Sequence, residues 1–89
     1  MKILTVCGMG IGTSILLKMN TEKALKALGA SADVEASDIG SARGAARTVD
    51  IVLISHDLAE QLGDVPAKVI EIQNFLSVDE ISQKLAPEV

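Results

Sequence analysis

Short apolar runs alternate along this chain with segments of helical periodicity. Three of these runs, residues 2–6, 49–54 and 67–72, are rich in β-branched and aliphatic side chains and predict strands. Because they show no clean polar alternation, we expect them to be buried on both faces of a parallel sheet. A fourth candidate strand, residues 32–36, does alternate and is expected to lie nearer an edge of the sheet.

The longest helical pattern covers residues 14–28. Its apolar positions predict a buried face, with a natural stop at Gly29. The residues of this predicted face are Ile15, Leu16, Met19, Ala24, Leu25 and Leu28.

Three shorter helices are predicted. Asp38 suits the N-cap of a weak helix that extends to residue 47, and residues 57–62 allow barely two turns. Ser77 and Glu80 have the spacing of a capping box, which starts a helix over residues 78–85.

The resulting order βαβαβαβα predicts one α/β domain over residues 1–89. Strands that alternate with helices form right-handed crossovers, so the sheet is parallel and helices cover both of its faces in three layers. In such folds ligands bind outside the carboxyl ends of the strands. The loop after the first strand is therefore the first place to look for a site.

Composition narrows the possible functions. The net charge of −4 and the near absence of aromatic residues (1%) argue against nucleic-acid binding. A single cysteine excludes an internal disulfide and a cysteine-cluster zinc site, and we expect no metal and no cofactor. The uncharged residues 3–17 superficially resemble a signal peptide, but three glycines interrupt the run. We expect a cytoplasmic protein with a reduced thiol and no membrane insertion.

The loop after the first strand contains the candidate chemistry. Alternate glycines between a strand and a helix favour a nest of N–H groups that binds a phosphate, and Cys7 stands at its start. A thiol facing these donors should have a lowered pKa, so a covalent phosphocysteine is the natural chemistry. The candidate residues are Cys7 as the nucleophile and, for phosphate binding, Gly8, Met9, Gly10, Ile11, Gly12, Thr13 and Ser14.

Competing interpretations of the loop fail on particular residues. A Walker loop requires Lys after the last glycine, and Thr13 stands there. Thr13 also stands at the position where a dinucleotide fingerprint has its third glycine. The same position would hold the arginine of a Cys-x5-Arg phosphatase. A thioredoxin-like site lacks its second cysteine. A regulatory anion-binding module with a structural Cys7 stays open as an alternative, and a phosphatase is a weaker one.

Met9, Ile11 and His56 are candidates for supporting roles near the loop. The apolar loop residues Met9 and Ile11 are expected to dock partner proteins. His56 follows the third strand on the same side of the sheet as the loop. It is a candidate proton donor or second phosphoryl site, but the sequence around it is more simply a helix start.

Residues 2–14 resemble the opening of the enzyme IIB components of the bacterial sugar phosphotransferase system, most of all the ascorbate type. They share the loop Cys-Gly-x-Gly-x-Gly-Ser/Thr-Ser and a following helix with Lys18 and Met19. A second similar patch covers residues 74–77. Galactitol-type and lactose-type relatives have different loop sequences.

The resemblance implies both a fold and a function. The fold would be a four-stranded parallel sheet of order 2-1-3-4, with residues 8–14 as the phosphate loop. Cys7 would accept a phosphoryl group from a phosphohistidine on a IIA partner. It would then pass the group to a carbohydrate bound to the membrane component IIC, which holds the sugar site.

Overall fold

A computed structural model describes the backbone of residues 1–7 and 10–89, and the side chains of residues 1–6 and 15–89. Strands and helices alternate in the predicted order. They are β1 (Lys2–Cys7), α1 (Gly10–Ala27), β2 (Asp33–Asp38), α2 (Ile39–Ala45), β3 (Ile51–Ile54), α3 (His56–Leu62), β4 (Lys68–Glu71) and α4 (Val78–Leu85). A 3₁₀ turn, Ala46–Thr48, extends α2 to about the predicted end of that helix.

The four strands form one parallel sheet in the order β2-β1-β3-β4, which confirms the predicted fold. β1 lies at the centre, between β2 and β3. In register, Thr5 stands opposite Leu53 of β3, and Cys7 stands opposite Asp38 of β2. All four strands therefore deliver their carboxyl ends to one edge of the sheet, and each is followed there by a helix.

The two outer strands differ in how well the sequence predicted them. β2 is an edge strand, as its alternation indicated. The prediction that residues 67–72 are buried on both faces is wrong for β4, because β4 is the other edge and both Lys68 and Glu71 are exposed. Ile70 and Ile72 still face one core, and Ala67 and Val69 pack partly buried against the other. An apolar run thus does not distinguish a central strand from an edge strand that contributes to the core.

Two apolar cores cover the two faces of the sheet. On one face α1 and α4 pack against Ile3, Ile51 and Leu53. On the other, α2 and α3 pack against Leu4, Val52 and their neighbours. Alternate residues of β1 and β3 enter opposite cores, which is the packing that a continuous apolar strand requires.

The buried face of α1 is only partly the predicted one: Ala24 and Leu25 are buried as expected, and the other predicted residues are exposed. The sheet buries Leu17, Asn20, Thr21, Ala24 and Leu25. By contrast Ile15, Leu16 and Met19, which were expected to be buried, are exposed by 46%, 43% and 48%. The first half of α1 is apolar around most of its circumference, so periodicity alone did not select the face that meets the sheet.

α1 also begins earlier than predicted. Its first residue is Gly10, whereas the sequence indicated a loop that continues to Ser14. Gly10 and Gly12 therefore belong to the start of the helix and not to an open loop. The helical cost of glycine is a weak preference, about 1 kcal/mol per residue, and the tertiary fold overrides it.

Candidate functional site

Cys7 is the last residue of β1 and lies at the carboxyl edge of the sheet. The 18-residue helix α1 begins three positions later, at Gly10. The backbone of Gly8 and Met9 lies outside the described residues, as do the side chains of Cys7, Ile11, Thr13 and Ser14. The predicted phosphate contacts of residues 8–14 and the docking roles of Met9 and Ile11 therefore stay predictions.

The helix that follows Cys7 makes this edge suitable for an anion. The first N–H groups of an α-helix have no partner within the helix, and its N-terminus has the equivalent of about half a positive charge. α1 has no acidic residue in its first turn that would compete for these N–H groups. The arrangement can hold a phosphoryl group beside a strand-terminal thiol.

The neighbouring strand ends have local N-caps of their own. Asp38 caps α2 as predicted, because its Oδ1 accepts a hydrogen bond of 2.8 Å from the N–H of Ser41. Ser55 stands at the N-cap of α3 without a side-chain bond, and α3 begins at His56, one residue before its predicted start. Asp38 is the last residue of β2, and its carboxylate is already bonded to the first turn of α2.

His56 and Glu71 form an ion pair at this edge that the sequence did not predict. Nδ1 of His56 lies 2.8 Å from Oε1 of Glu71, the last residue of β4. The hydrogen bond that His56 donates to Glu71, and next the negative charge of Glu71, raise the pKa of His56 above its ordinary value. Slight desolvation lowers this pKa, while Glu60 and Asp57 raise it by smaller amounts. The residues are 15 positions apart in the chain, so no local pattern indicates the pair.

The loop between β4 and α4 is tied down by Glu80. Its carboxylate accepts hydrogen bonds from the N–H groups of Gln73 (2.7 Å) and Asn74 (2.9 Å), and Lys84 pairs with it at 2.8 Å. Partial burial acts to raise the pKa of the Glu80 carboxyl, but these bonds together outweigh it and hold the pKa below its usual range. Only half of the predicted capping box forms: Ser77 Oγ accepts from the N–H of Glu80 (3.1 Å), while the carboxylate turns to the loop.

α1 holds the same loop from the other side. Nδ2 of Asn20 donates a 2.7 Å hydrogen bond to the carbonyl of Phe75, across 55 residues of sequence. At the tip of the loop, Leu76 is 67% exposed. This loop contains residues 74–77, the second patch that resembled the IIB components.

Three exposed apolar side chains on α1 are functional candidates that the sequence misassigned to the core. Ile15, Leu16 and Met19 lie in the second and third turns of α1, the helix that follows Cys7 in the chain. Exposed apolar side chains grouped near a site mark a contact surface more often than isolated ones do. A helical wheel could have indicated this exposure, because α1 has more apolar residues than one buried face can hold.

Two further properties of the described residues bear on other classes of function. In the described part of the chain no helix is long and apolar enough to cross a membrane. Among those same residues no group of three or more His, Cys, Asp or Glu side chains is arranged to bind a metal ion.

Two comparisons with known proteins bear on the family of this chain. The family model described as "PTS system, Lactose/Cellobiose specific IIB subunit" matches residues 2–87. A curated protein of Mycoplasma pneumoniae, named "Ascorbate-specific PTS system EIIB component", is 36% identical over 85 residues, which cover 94% of this chain and 90% of that protein.

Proposed function

Because the chain belongs to the IIB family of the sugar phosphotransferase system, whose members are phosphoryl carriers, we propose that Cys7 is the residue that holds the phosphoryl group. The observation that supports this most directly is its place in the fold. Cys7 ends a central strand at the carboxyl edge, three residues before the first residue of an 18-residue helix.

The proposed reaction has two transfers. In the first, the Cys7 thiolate attacks the phosphorus of a phosphohistidine on the IIA protein, so a sulfur–phosphorus bond forms and a nitrogen–phosphorus bond breaks. The released imidazole nitrogen keeps the electron pair, and the proton lost by the thiol ends on that ring. In the second, a hydroxyl of the carbohydrate bound to IIC attacks the phosphorus, so an oxygen–phosphorus bond forms and the sulfur–phosphorus bond breaks. The sulfur leaves with the electron pair as a thiolate, and the hydroxyl proton passes to the solvent.

Residues 8–14 are proposed to hold the phosphoryl oxygens in both transfers. Since α1 begins at Gly10, the donors in the second half of this segment are the N–H groups of the first helical turn. The hydroxyl groups of Thr13 and Ser14 are further candidate donors. This arrangement keeps the anion-binding role that the sequence indicated, and it replaces the wide glycine nest with a helix N-terminus.

Thr13 favours a carrier over a phosphatase. A Cys-x5-Arg phosphatase has an arginine at this position, whose charge stabilises the phosphoryl oxygens as water attacks. Thr13 adds no charge, so the phosphocysteine should survive until an acceptor arrives. The Cys7-dependent hydrolysis of an aryl phosphate at ordinary phosphatase rates would contradict the carrier function.

The exposed apolar side chains of α1 are proposed to dock the IIA donor. Ile15, Leu16 and Met19 lie within about 15 Å of the start of α1, given a rise of about 1.5 Å per residue, so a protein seated on them also covers Cys7. Leu16→Lys and Met19→Lys should raise the KM for phosphorylated IIA and leave kcat nearly unchanged. Leu28→Lys, one residue beyond the far end of α1, serves as the matched control and should change neither parameter.

We propose an ascorbate-like carbohydrate as the final acceptor. The loop of residues 7–14 resembles the ascorbate type, and the M. pneumoniae relative has that specificity in its name. The family model has lactose and cellobiose in its description, so a disaccharide is the competing acceptor. Phosphorylation of ascorbate or of cellobiose in vesicles that contain the cognate IIC distinguishes the two.

The deciding experiment is transfer from phosphorylated IIA, followed by intact mass. We expect the wild-type chain to gain the mass of one phosphoryl group and Cys7→Ser to gain none. Acceptance by Cys7→Ser would show that another residue is the carrier. Binding of inorganic phosphate with no transfer to Cys7 would favour a regulatory anion-binding module instead.

A further inference from the structure

Leu76 is exposed although the backbone around it is held at several points. Its own N–H donates to Oδ1 of Asn74 (3.0 Å), and the N–H of Ser77 donates to the carbonyl of Asn74 (3.0 Å). The carbonyl of Phe75 accepts the bond from Asn20 of α1. An apolar side chain on a backbone that is already ordered costs less entropy when a partner binds it.

The bond from Asn20 brings Leu76 next to exposed side chains of α1. Leu16 and Lys23 stand four residues before and three residues after Asn20, so they are its neighbours on the helix surface. Leu76 stands one residue beyond the carbonyl that Asn20 binds. Together with Met19, which is the helical neighbour of Lys23, these residues form a composite surface of four exposed side chains: Leu16, Met19, Lys23 and Leu76.

Charge is unevenly distributed between α1 and the rest of the chain. α1 has three lysines and one glutamate, a net charge of +2, which leaves −6 for the remaining residues of a chain whose total is −4. Glu22 has its helical neighbours at Lys18 and Lys26, four residues away on either side. Lys23 therefore presents its positive charge to a partner beside Met19.

The charge of the composite surface distinguishes between the two expected partners. Protein interfaces have an apolar core and a polar rim, and the rims of two partners are complementary in charge. The cytoplasmic loops of a membrane protein have an excess of lysine and arginine, which Lys23 would repel. The composite surface is therefore better suited to the IIA donor than to the IIC acceptor.

We propose that Leu76 and Lys23 extend the docking surface of α1 for phosphorylated IIA. Leu76 contacts an apolar patch of IIA, and Lys23 lies opposite a carboxylate at the rim of that patch. This inference rests on the proposed function, because that function supplies IIA as the partner. It assigns the chemistry of the partner's face and adds the β4–α4 loop to the interface.

The first test is the KM and kcat for transfer from phosphorylated IIA to Leu76→Ser. We expect the KM to rise about tenfold, because an apolar contact area is lost, and kcat to stay nearly unchanged, because Cys7 is untouched. Leu28→Ser is the matched control: it removes another exposed leucine, one residue beyond the far end of α1, and should change neither parameter.

The second test reverses the charge of Lys23. Lys23→Glu should raise the KM about fivefold at about 0.05 M salt, and the difference from the wild type should shrink at about 0.5 M salt, where exposed charges are screened. Lys68→Glu makes the same change in net charge at an exposed position of β4 and should leave the KM unchanged at both salt concentrations.

A third test measures docking without transfer. The chain has one cysteine, so Leu76→Cys in a Cys7→Ser background presents a single thiol. Purified IIA should slow the alkylation of this thiol by iodoacetamide. In the same background, the alkylation of Leu28→Cys should proceed at the same rate with and without IIA.

Three results would overturn the inference. They are a KM of Leu76→Ser equal to that of Leu28→Ser, a KM of Lys23→Glu equal to that of Lys68→Glu, and protection of the Leu76→Cys thiol by phosphatidylglycerol vesicles but not by IIA. Failure of the proposed function is distinguishable, because the wild type would then take up no phosphoryl group at Cys7, whereas the alkylation rate reports docking by itself.

Discussion

Asn20 of α1 donates its side-chain amide to the carbonyl of Phe75 at 2.7 Å. The amide is buried, with 8% of Asn20 exposed. A polar group in that position is stabilised by its bond and is costly without it. This contact fastens the β4–α4 loop to the helix that follows Cys7.

Asn20→Asp should therefore destabilise the protein by about 2–3 kcal/mol, because a carboxylate cannot donate and is left desolvated beside a carbonyl oxygen. Urea unfolding at neutral pH measures the loss. Gln61→Glu makes the same chemical change at an exposed site of α3 and should cost less than about 1 kcal/mol. Equal losses in the two variants would show that the Asn20 contact contributes little.

Glu80→Gln should destabilise the chain by about 1–2 kcal/mol at neutral pH, because the hydrogen bonds of Gln73, Asn74 and Lys84 then lose an ionised acceptor. The pKa of Glu80 is lowered in the folded state. Its contribution is thus present above the unfolded value of about 4.3 and is lost as the pH falls through the lower folded value. Unfolding curves of both proteins should converge at acid pH, whereas the exposed Glu22→Gln should follow the wild type throughout.

Two glycines should respond to alanine in opposite directions. Gly63 ends α3 with φ 70° and ψ −156°, and an added Cβ would lie 2.8 Å from a terminal nitrogen of Arg43. That arginine also donates to the carbonyl of Leu62. Gly63→Ala should cost about 1–3 kcal/mol. Gly44 lies inside α2 with open space around its Cβ position, and Gly44→Ala should gain about 0.5–1 kcal/mol. Thermal unfolding of the two variants checks both signs.

The thiol of Cys7 should titrate below the free value of about 8.5, because the N-terminus of α1 favours the thiolate. Thiolate absorbance against pH measures the midpoint, and Cys7→Ser supplies the baseline. A midpoint at or above 8.5 would mean that the helix N-terminus does not face the sulfur. The low pKa would also make Cys7 react with iodoacetamide faster than a free cysteine at neutral pH.

The sequence by itself determined the order of strands and helices and the position of the candidate thiol. These properties are local: apolar runs bounded by polar turns make strands, Asp38 and Ser77 cap the helices they precede, and Gly29 ends α1. The motif around Cys7 is also a contiguous stretch. Neighbouring residues therefore sufficed to predict the α/β fold, which the structure confirms, and to predict a phosphate site after β1, which stays a prediction.

Tertiary structure decided which surfaces the elements share. Ile15, Leu16 and Met19 are as apolar as Leu17 and Leu25, and only the seating of α1 on the sheet leaves the first three exposed. Glu80 had two possible partners for its carboxylate, and the fold presented Gln73 and Asn74 rather than the N–H of Ser77. The pair of His56 and Glu71 exists because β3 and β4 end side by side. Such contacts depend on strand register and helix rotation, which short-range patterns do not contain.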